Sequence, residues 1–192
     1  MRLFVALDLE DAIRERIARF LDGVRGFAPQ SKWVRQESLH VTLKFIGESE
    51  KPNEIRDVLS GVQGGTVTFS FRGTGFFPTP RSARVFWIGI ESDERLGQLA
   101  RSVDAALTPL GIESERRAYT PHLTLARGEL RSRLPKAKAS ASGNPFARLQ
   151  EKLAALSPPD FGTMTAREFY LYESKLKPSG AVYTKLNAFK LN

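Results

Sequence analysis

The sequence contains no cysteine, and only two of its 192 residues are histidine. The first absence excludes structural disulfides, thiolate nucleophiles and cysteine-ligated zinc. The second leaves too few imidazoles for a histidine-rich metal site, so only a hard cation held by carboxylates stays open; no metal and no cofactor is expected. Long apolar runs are also missing. The opening Met1-Arg2-Leu3-Phe4-Val5-Ala6-Leu7-Asp8 turns to charge before it reaches the length of a signal-peptide core or a membrane span. A cytoplasmic protein with no membrane contact is expected. Acidic residues are the minority charge, 21 against 29 Lys and Arg, for a net +8. Such an excess favours polyanionic partners, nucleic acid first, through phosphate contacts and counterion release. A basic but inert surface is the alternative, because charge names a class of partner and no particular one.

What is present is ordinary for a globular chain: 41% hydrophobic and 26% charged residues, enough for one domain or two small lobes sharing a core, and a monomer is expected. Residues 2–9 alternate as a first strand. From Asp11 the apolar positions Ile13, Ile17, Phe20, Leu21 and Val24 recur at helical spacing until Gly26 and Pro29. An extended Lys32-Trp33-Val34 leads to a strand over residues 39–46. Asn53 caps a second helix carrying Ile55, Val58, Leu59 and Val62, ended by Gly64-Gly65. Residues 66–71 read as a strand, the Gly- and Pro-rich run 73–81 as a loop, and residues 84–90 as a strand. Leu96, Leu99, Val103 and Leu107 mark a third helix, followed by a strand over 121–126. Residues 128–142, with Arg131, Arg133, Lys136 and Lys138, read as a mobile basic loop that either touches a nucleic-acid backbone or is simply solvated. Asn144-Pro145 opens a helix reaching Leu156, and two strands, 165–173 and 182–191, close the chain across a turn at Lys177-Pro178. The class is α+β with largely antiparallel sheets.

Both histidines head the same pattern: His40-Val41-Thr42-Leu43 and His122-Leu123-Thr124-Leu125. Strand alternation sends His and Thr to one side and the aliphatic pair to the other. One such tetrapeptide is compatible with a plain surface strand; two that use every histidine in the chain point to a divergent duplication, two lobes each giving one motif strand to a shared cleft. Two imidazoles facing across a cleft titrate near neutrality, so one can accept a proton while the other donates one. The two threonine hydroxyls can hold the non-bridging oxygens of a phosphate between them. Such a site handles a phosphodiester in line, without metal or covalent intermediate. Which histidine is acid and which base is not readable from the pattern.

Supporting residues follow by position. Lys44 continues the His40–Thr42 face by alternation and either contacts phosphate or is solvated. Ala126 stands at the matching place in the second strand. Arg127 falls on the opposite face of an ideal strand and needs a twist or bulge to reach the cleft. Trp33 and Tyr119 precede the two motifs and either stack a base or pack in the core.

These residues resemble the 2H phosphoesterases, and among them the RNA 2′,3′-cyclic phosphodiesterase (2′-5′ RNA ligase) family. The resemblance runs through the opening Arg2 to Asp8, Trp33-Val34-Arg35, Leu39 to Gly47, Gly75-Phe76-Phe77-Pro78, Val85 to Gly89, Pro121 to Arg127, Leu171 to Ser174 and Gly180 to Tyr183. It implies a bilobal fold over residues 1–192 with pseudo-two-fold symmetry, flanking helices and a central cleft. It further implies metal-independent opening of RNA or nucleoside 2′,3′-cyclic phosphates to 2′-phosphomonoesters, with His122 as proton acceptor and His40 as proton donor, Thr42, Thr124 and Arg127 on the phosphate, and reverse 2′-5′ ligation as a side activity. A module that grips RNA or nucleotide phosphates without turnover is the competing reading, separated by whether both imidazoles are needed.

Overall fold

The computed structural model describes residues 1–128, 143–178 and 180–192. Along the chain come β1 (Arg2–Asp8), α1 (Asp11–Val24), β2 (Lys32–Trp33), β3 (His40–Glu48), α2 (Pro52–Ser60), β4 (Val67–Phe77), β5 (Val85–Ser92), α3 (Glu94–Leu107), β6 (His122–Arg127), α4 (Ala147–Ala154), β7 (Asp160–Ala166), β8 (Glu168–Lys177) and β9 (Gly180–Lys190). The strands form two antiparallel sheets, ordered β3-β1-β8-β9 and β2-β6-β5-β4-β7. Without β2, the second order repeats the first, β6-β5-β4-β7 standing for β3-β1-β8-β9.

The repeat extends to the connections. β1-α1-β3 and β5-α3-β6 are each strand, 14-residue helix, antiparallel strand. Each helix buries one apolar stripe, Ile13, Ile17, Leu21 and Val24 in α1, and Leu96, Leu99, Val103 and Leu107 in α3. α3 starts cleanly because the Asp93 carboxylate accepts from the Arg95 amide at 2.9 Å. The backs of the two motif strands, Val41 and Leu43, Leu123 and Leu125, belong to one continuous core with Val5, Leu7, Phe86 and Ile88. Burial of each such side chain stabilises by about 1.5–3 kcal/mol, so the polar faces of β3 and β6 are carried by rigid elements. The bilobal α+β architecture with its pseudo-two-fold is the one expected.

Several local expectations are corrected. Residues 73–77 are strand, because Gly73 (φ 66°) is the extra residue of a bulge between Arg72 and Thr74, and β4 continues to Phe77. Gly75 is needed for close packing: a Cβ there would lie 2.1 Å from the Trp87 ring. The strand expected over 165–173 is two strands in different sheets, β7 and β8, with Arg167 between them. α2 begins at Pro52, ahead of Asn53. α4 runs only Ala147–Ala154; Asn144 Oδ1 accepts from the Phe146 amide at 2.9 Å and organises the approach to the helix. The basic segment falls, from residue 129 onward, outside the described residues. No helix among the described residues is long and apolar enough to cross a membrane.

Candidate active site

Antiparallel neighbours directly opposite one another share a face, so the pairing register shows what the motif strands present. In the first lobe His40 opposes Asp8, Thr42 opposes Ala6, Lys44 opposes Val5 and Phe45 opposes Phe4, with Leu43 skipped. In the second lobe His122 opposes Gly89, Thr124 opposes Trp87, Ala126 opposes Phe86 and Arg127 opposes Val85, with Leu125 skipped. Each motif strand therefore carries a bulge at the same place, and their burial follows the same order. The bulge reverses the alternation after the fourth residue: position five turns into the core and position six turns onto the face of the His and Thr.

The reversal sorts the candidates. Arg127 is exposed on the face of His122 and Thr124, as its expected role requires. Lys44 is not where alternation put it. It is buried on the far side of β3, where its Nζ pairs with Asp104 at 2.5 Å and donates to the Glu113 carbonyl at 2.6 Å. The role of phosphate contact is therefore withdrawn from Lys44; it joins β3 to α3. The residue that does stand at the position of Arg127 in the first lobe is Phe45, 64% exposed. Strand alternation alone hides Phe45; the paired apolar residues Leu43 and Phe45 flanking a buried lysine are visible only once the bulge is known.

Trp33 and Tyr119 take the packing alternative. The Trp33 indole donates to the Ala28 carbonyl at 2.9 Å and lies edge-on to Phe86. The Tyr119 hydroxyl donates to the Thr42 carbonyl at 2.9 Å, and burial pushes its pKa up. That bond ties the approach to β6 onto β3 and helps bring the motif strands together; β3 and β6 are in direct contact.

The two imidazoles are held alike. His40 Nδ1 lies 2.7 Å from the Ser38 carbonyl and His122 Nδ1 lies 2.8 Å from the Thr120 carbonyl. A carbonyl can only accept, so each Nδ1 carries its proton and each Nε2 is the reactive nitrogen: an acceptor when the ring is neutral, a donor when it is charged. Aromatic rings fix both side chains. His40 lies 4.8 Å from Phe4 and 5.1 Å, edge-on, from Tyr183; His122 lies 5.1 Å, edge-on, from Phe77 and 6.4 Å from Trp87.

Their electrostatic settings differ. Burial lowers the His40 pKa below the ordinary imidazole value; the Ser38 carbonyl and the Asp8 carboxylate work against that, and the positive charges of Arg127 and Arg14 work with it. The Arg127 charge is thus felt at His40 as well as standing on the His122 strand. Beside His40 lies a cavity lined by Asp8, Arg14, Tyr172, Tyr183 and Lys185.

A family model described as the 2′-5′ RNA ligase superfamily matches residues 9–173. The chain is 34% identical to the RNA 2′,3′-cyclic phosphodiesterase of Methanothermobacter thermautotrophicus, covering 100% of this chain and 99% of that one. It is 36% identical to the RNA 2′,3′-cyclic phosphodiesterase of Archaeoglobus fulgidus, covering 99% and 100%. Among solved structures it is similar to Escherichia coli LigT complexed with 3′-AMP, with a TM-score of 0.75, 27% identity and coverage of 99% and 97%. With motif strands, bulges and sheet order in place, the chain belongs to the 2′-5′ RNA ligase superfamily and has the 2H phosphoesterase fold.

Proposed function

We propose that this protein is an RNA 2′,3′-cyclic phosphodiesterase that opens the cyclic phosphate to a 2′-phosphomonoester by acid–base catalysis between His40 and His122. The observation that carries the reading is the matched pair of imidazoles, each with Nδ1 tied to a backbone carbonyl and a threonine two residues on. The names of the Methanothermobacter and Archaeoglobus relatives support the substrate class.

The chemistry follows from the tautomers. Neutral His122 takes a proton from water through Nε2 as the water oxygen attacks phosphorus. His40, protonated, gives its Nε2 proton to the departing 3′-oxygen on the far side. The Thr42 and Thr124 hydroxyls and the Arg127 guanidinium hold the non-bridging oxygens, whose charge grows as the fifth bond forms. The assignment of acid and base is carried from the family resemblance. Run backwards with an RNA 5′-hydroxyl in place of water, the same groups seal a 2′-5′ linkage. The chemistry asks nothing of a metal, and a monomer holds every group named.

The leaving 3′-oxygen stays on the ribose, so the nucleoside sits on the His40 side of the phosphate, where Phe45 offers an exposed ring. Phe45→Ala is expected to raise KM for a cyclic mononucleotide about tenfold, the size of one lost base–aromatic stack, with kcat nearly unchanged; initial-rate kinetics check the split.

The test of the whole reading is a short RNA ending in a 2′,3′-cyclic phosphate, incubated with the protein in EDTA. Formation of a 2′-phosphate is the expected result. Tight binding with the ring left closed would overturn it and favour a module that grips RNA without turnover.

A further inference from the structure

The pseudo-two-fold that relates the histidines is broken at one position. Opposite His40, at the end of β1, stands Asp8; opposite His122, on β5, stands Gly89. The gap in the second lobe is built in, because a Cβ on Gly89 would lie 2.6 Å from the Arg72 carbonyl oxygen. Asp8 is held from two sides, by Arg14 on α1 and by Lys185 on β9. Lys185 in turn lies 4.2 Å over the Tyr170 ring. Burial raises the Asp8 pKa, but the Lys185 hydrogen bond and the Arg14 charge outweigh it and hold the carboxyl below its ordinary range. Asp8 is therefore anionic throughout the range in which an imidazole titrates.

We propose that Asp8 is the positioning residue that keeps the imidazolium of a proton donor within reach at His40 against burial and the neighbouring cations: a fixed carboxylate faces His40 from the paired strand, and the matching position opposite His122 is Gly89. The tautomers cannot do this, since both rings are anchored alike through Nδ1. Arg14 from α1 and Arg127 from β6 disfavour a second positive charge, and so does burial, whereas Asp11 from α1 and Glu37, just ahead of β3, line the same cavity as His40 with negative charge. Lys185 from β9 lies in the same cavity. Phe4, Tyr172 and Tyr183 pack their rings on His40 from β1, β8 and β9. Asp8 is the carboxylate whose charge acts on His40 in favour of its charged form. The words donor and acceptor rest on the cyclic phosphodiesterase reading, whereas the asymmetry of charge does not.

With two histidines in the chain, proton NMR resolves the matter without substrate. Each ring gives one Cε1–H titration, assigned with a His40→Gln variant. In Asp8→Asn the His40 midpoint is expected to move to lower pH by about one unit, the effect of removing one nearby opposite charge, while the His122 midpoint stays. In Lys185→Met, which removes a cation at the partly exposed edge of the cluster, the His40 midpoint is expected to rise. Opposite signs separate electrostatics from loosening, which would move both variants the same way. An unmoved His40 midpoint in Asp8→Asn, equal movement of both histidines, or same-sign shifts in the two variants would overturn the proposal. In the kcat/KM–pH profile of Asp8→Asn with a cyclic phosphate, one limb is expected to follow the His40 midpoint; limbs that stay in place would refute the catalytic half. A wild type that never opens the ring would sink the activity reading alone, and the two titrations would still decide the charge asymmetry.

Discussion

Replacing either His40 or His122 with alanine is expected to lower kcat on an RNA 2′,3′-cyclic phosphate by about a thousandfold, the usual weight of one positioned acid or base. Binding of the phosphate should weaken only severalfold, since the two threonines and Arg127 remain. The double variant is expected to be little worse than either single one, because acid and base act in one concerted step and their losses do not add. The two singles separate on the leaving group. An aryl phosphodiester such as bis(4-nitrophenyl) phosphate releases a stable phenolate that needs no proton. On that substrate His40→Ala should recover most of the wild-type rate and His122→Ala should not. Recovery in His122→Ala alone would exchange the roles; recovery in neither would remove acid catalysis from both.

The second large effect concerns stability. Lys44 and Asp104 form a pair whose side chains are 6% and 18% exposed, and Asp104 also accepts from Ser114 and from the Glu115 amide. Lys44→Ala is expected to cost about 3 kcal/mol, because it leaves a desolvated carboxylate without its cation. Lys44→Met combined with Asp104→Leu should return close to wild-type stability, since an apolar pair of similar volume carries no unpaired charge. The pH dependence has a definite sign. Burial raises the Asp104 pKa, yet the bonds from Lys44, Ser114 and Glu115 outweigh it and hold it below the ordinary carboxyl value of 3.8. Its contribution is therefore present above that value and is lost as pH falls through the depressed folded-state value. Denaturant melts at pH 7 and near pH 3 should show the gap between wild type and Lys44→Met closing in acid. The folded fraction of Lys44→Ala should keep its kcat, which a phosphate ligand would not.

The face shared by His40 and Thr42, and by His122 and Thr124, was legible in the sequence because it lies within four residues of regular alternation. Lys44 and Arg127 lie past the bulge, and no local pattern marks where a strand admits an extra residue; the family resemblance, not the periodicity, points to Arg127. Glycines misled in β4, where Gly73 and Gly75 look like loop punctuation but serve a bulge and the close approach of Trp87. Distance along the chain puts Trp33 and Tyr119 near the site, and tertiary packing decides their contacts. Asp8 is in plain view in the opening strand, yet its meaning depends on a cross-strand neighbour 32 positions away in β3, information that no window of sequence contains.

The paired bulges also set terms for anyone who would rework this scaffold. A residue's number along β3 or β6 is a phase, and the phase is reset after Leu43 and after Leu125. A designer wanting a matched arginine in the first lobe would have to write it at 45 and surrender the exposed ring; written at 44, the same arginine would be delivered to the interior. Deleting Leu43 or Leu125 would restore an unbroken rhythm and leave the residues beyond it on the faces they hold now, whereas flattening the bulge with that residue kept would exchange those faces. One uncounted residue per lobe thus sets the frame in which Phe45 and Arg127 reach the cleft while Lys44 and Ala126 go to the interior.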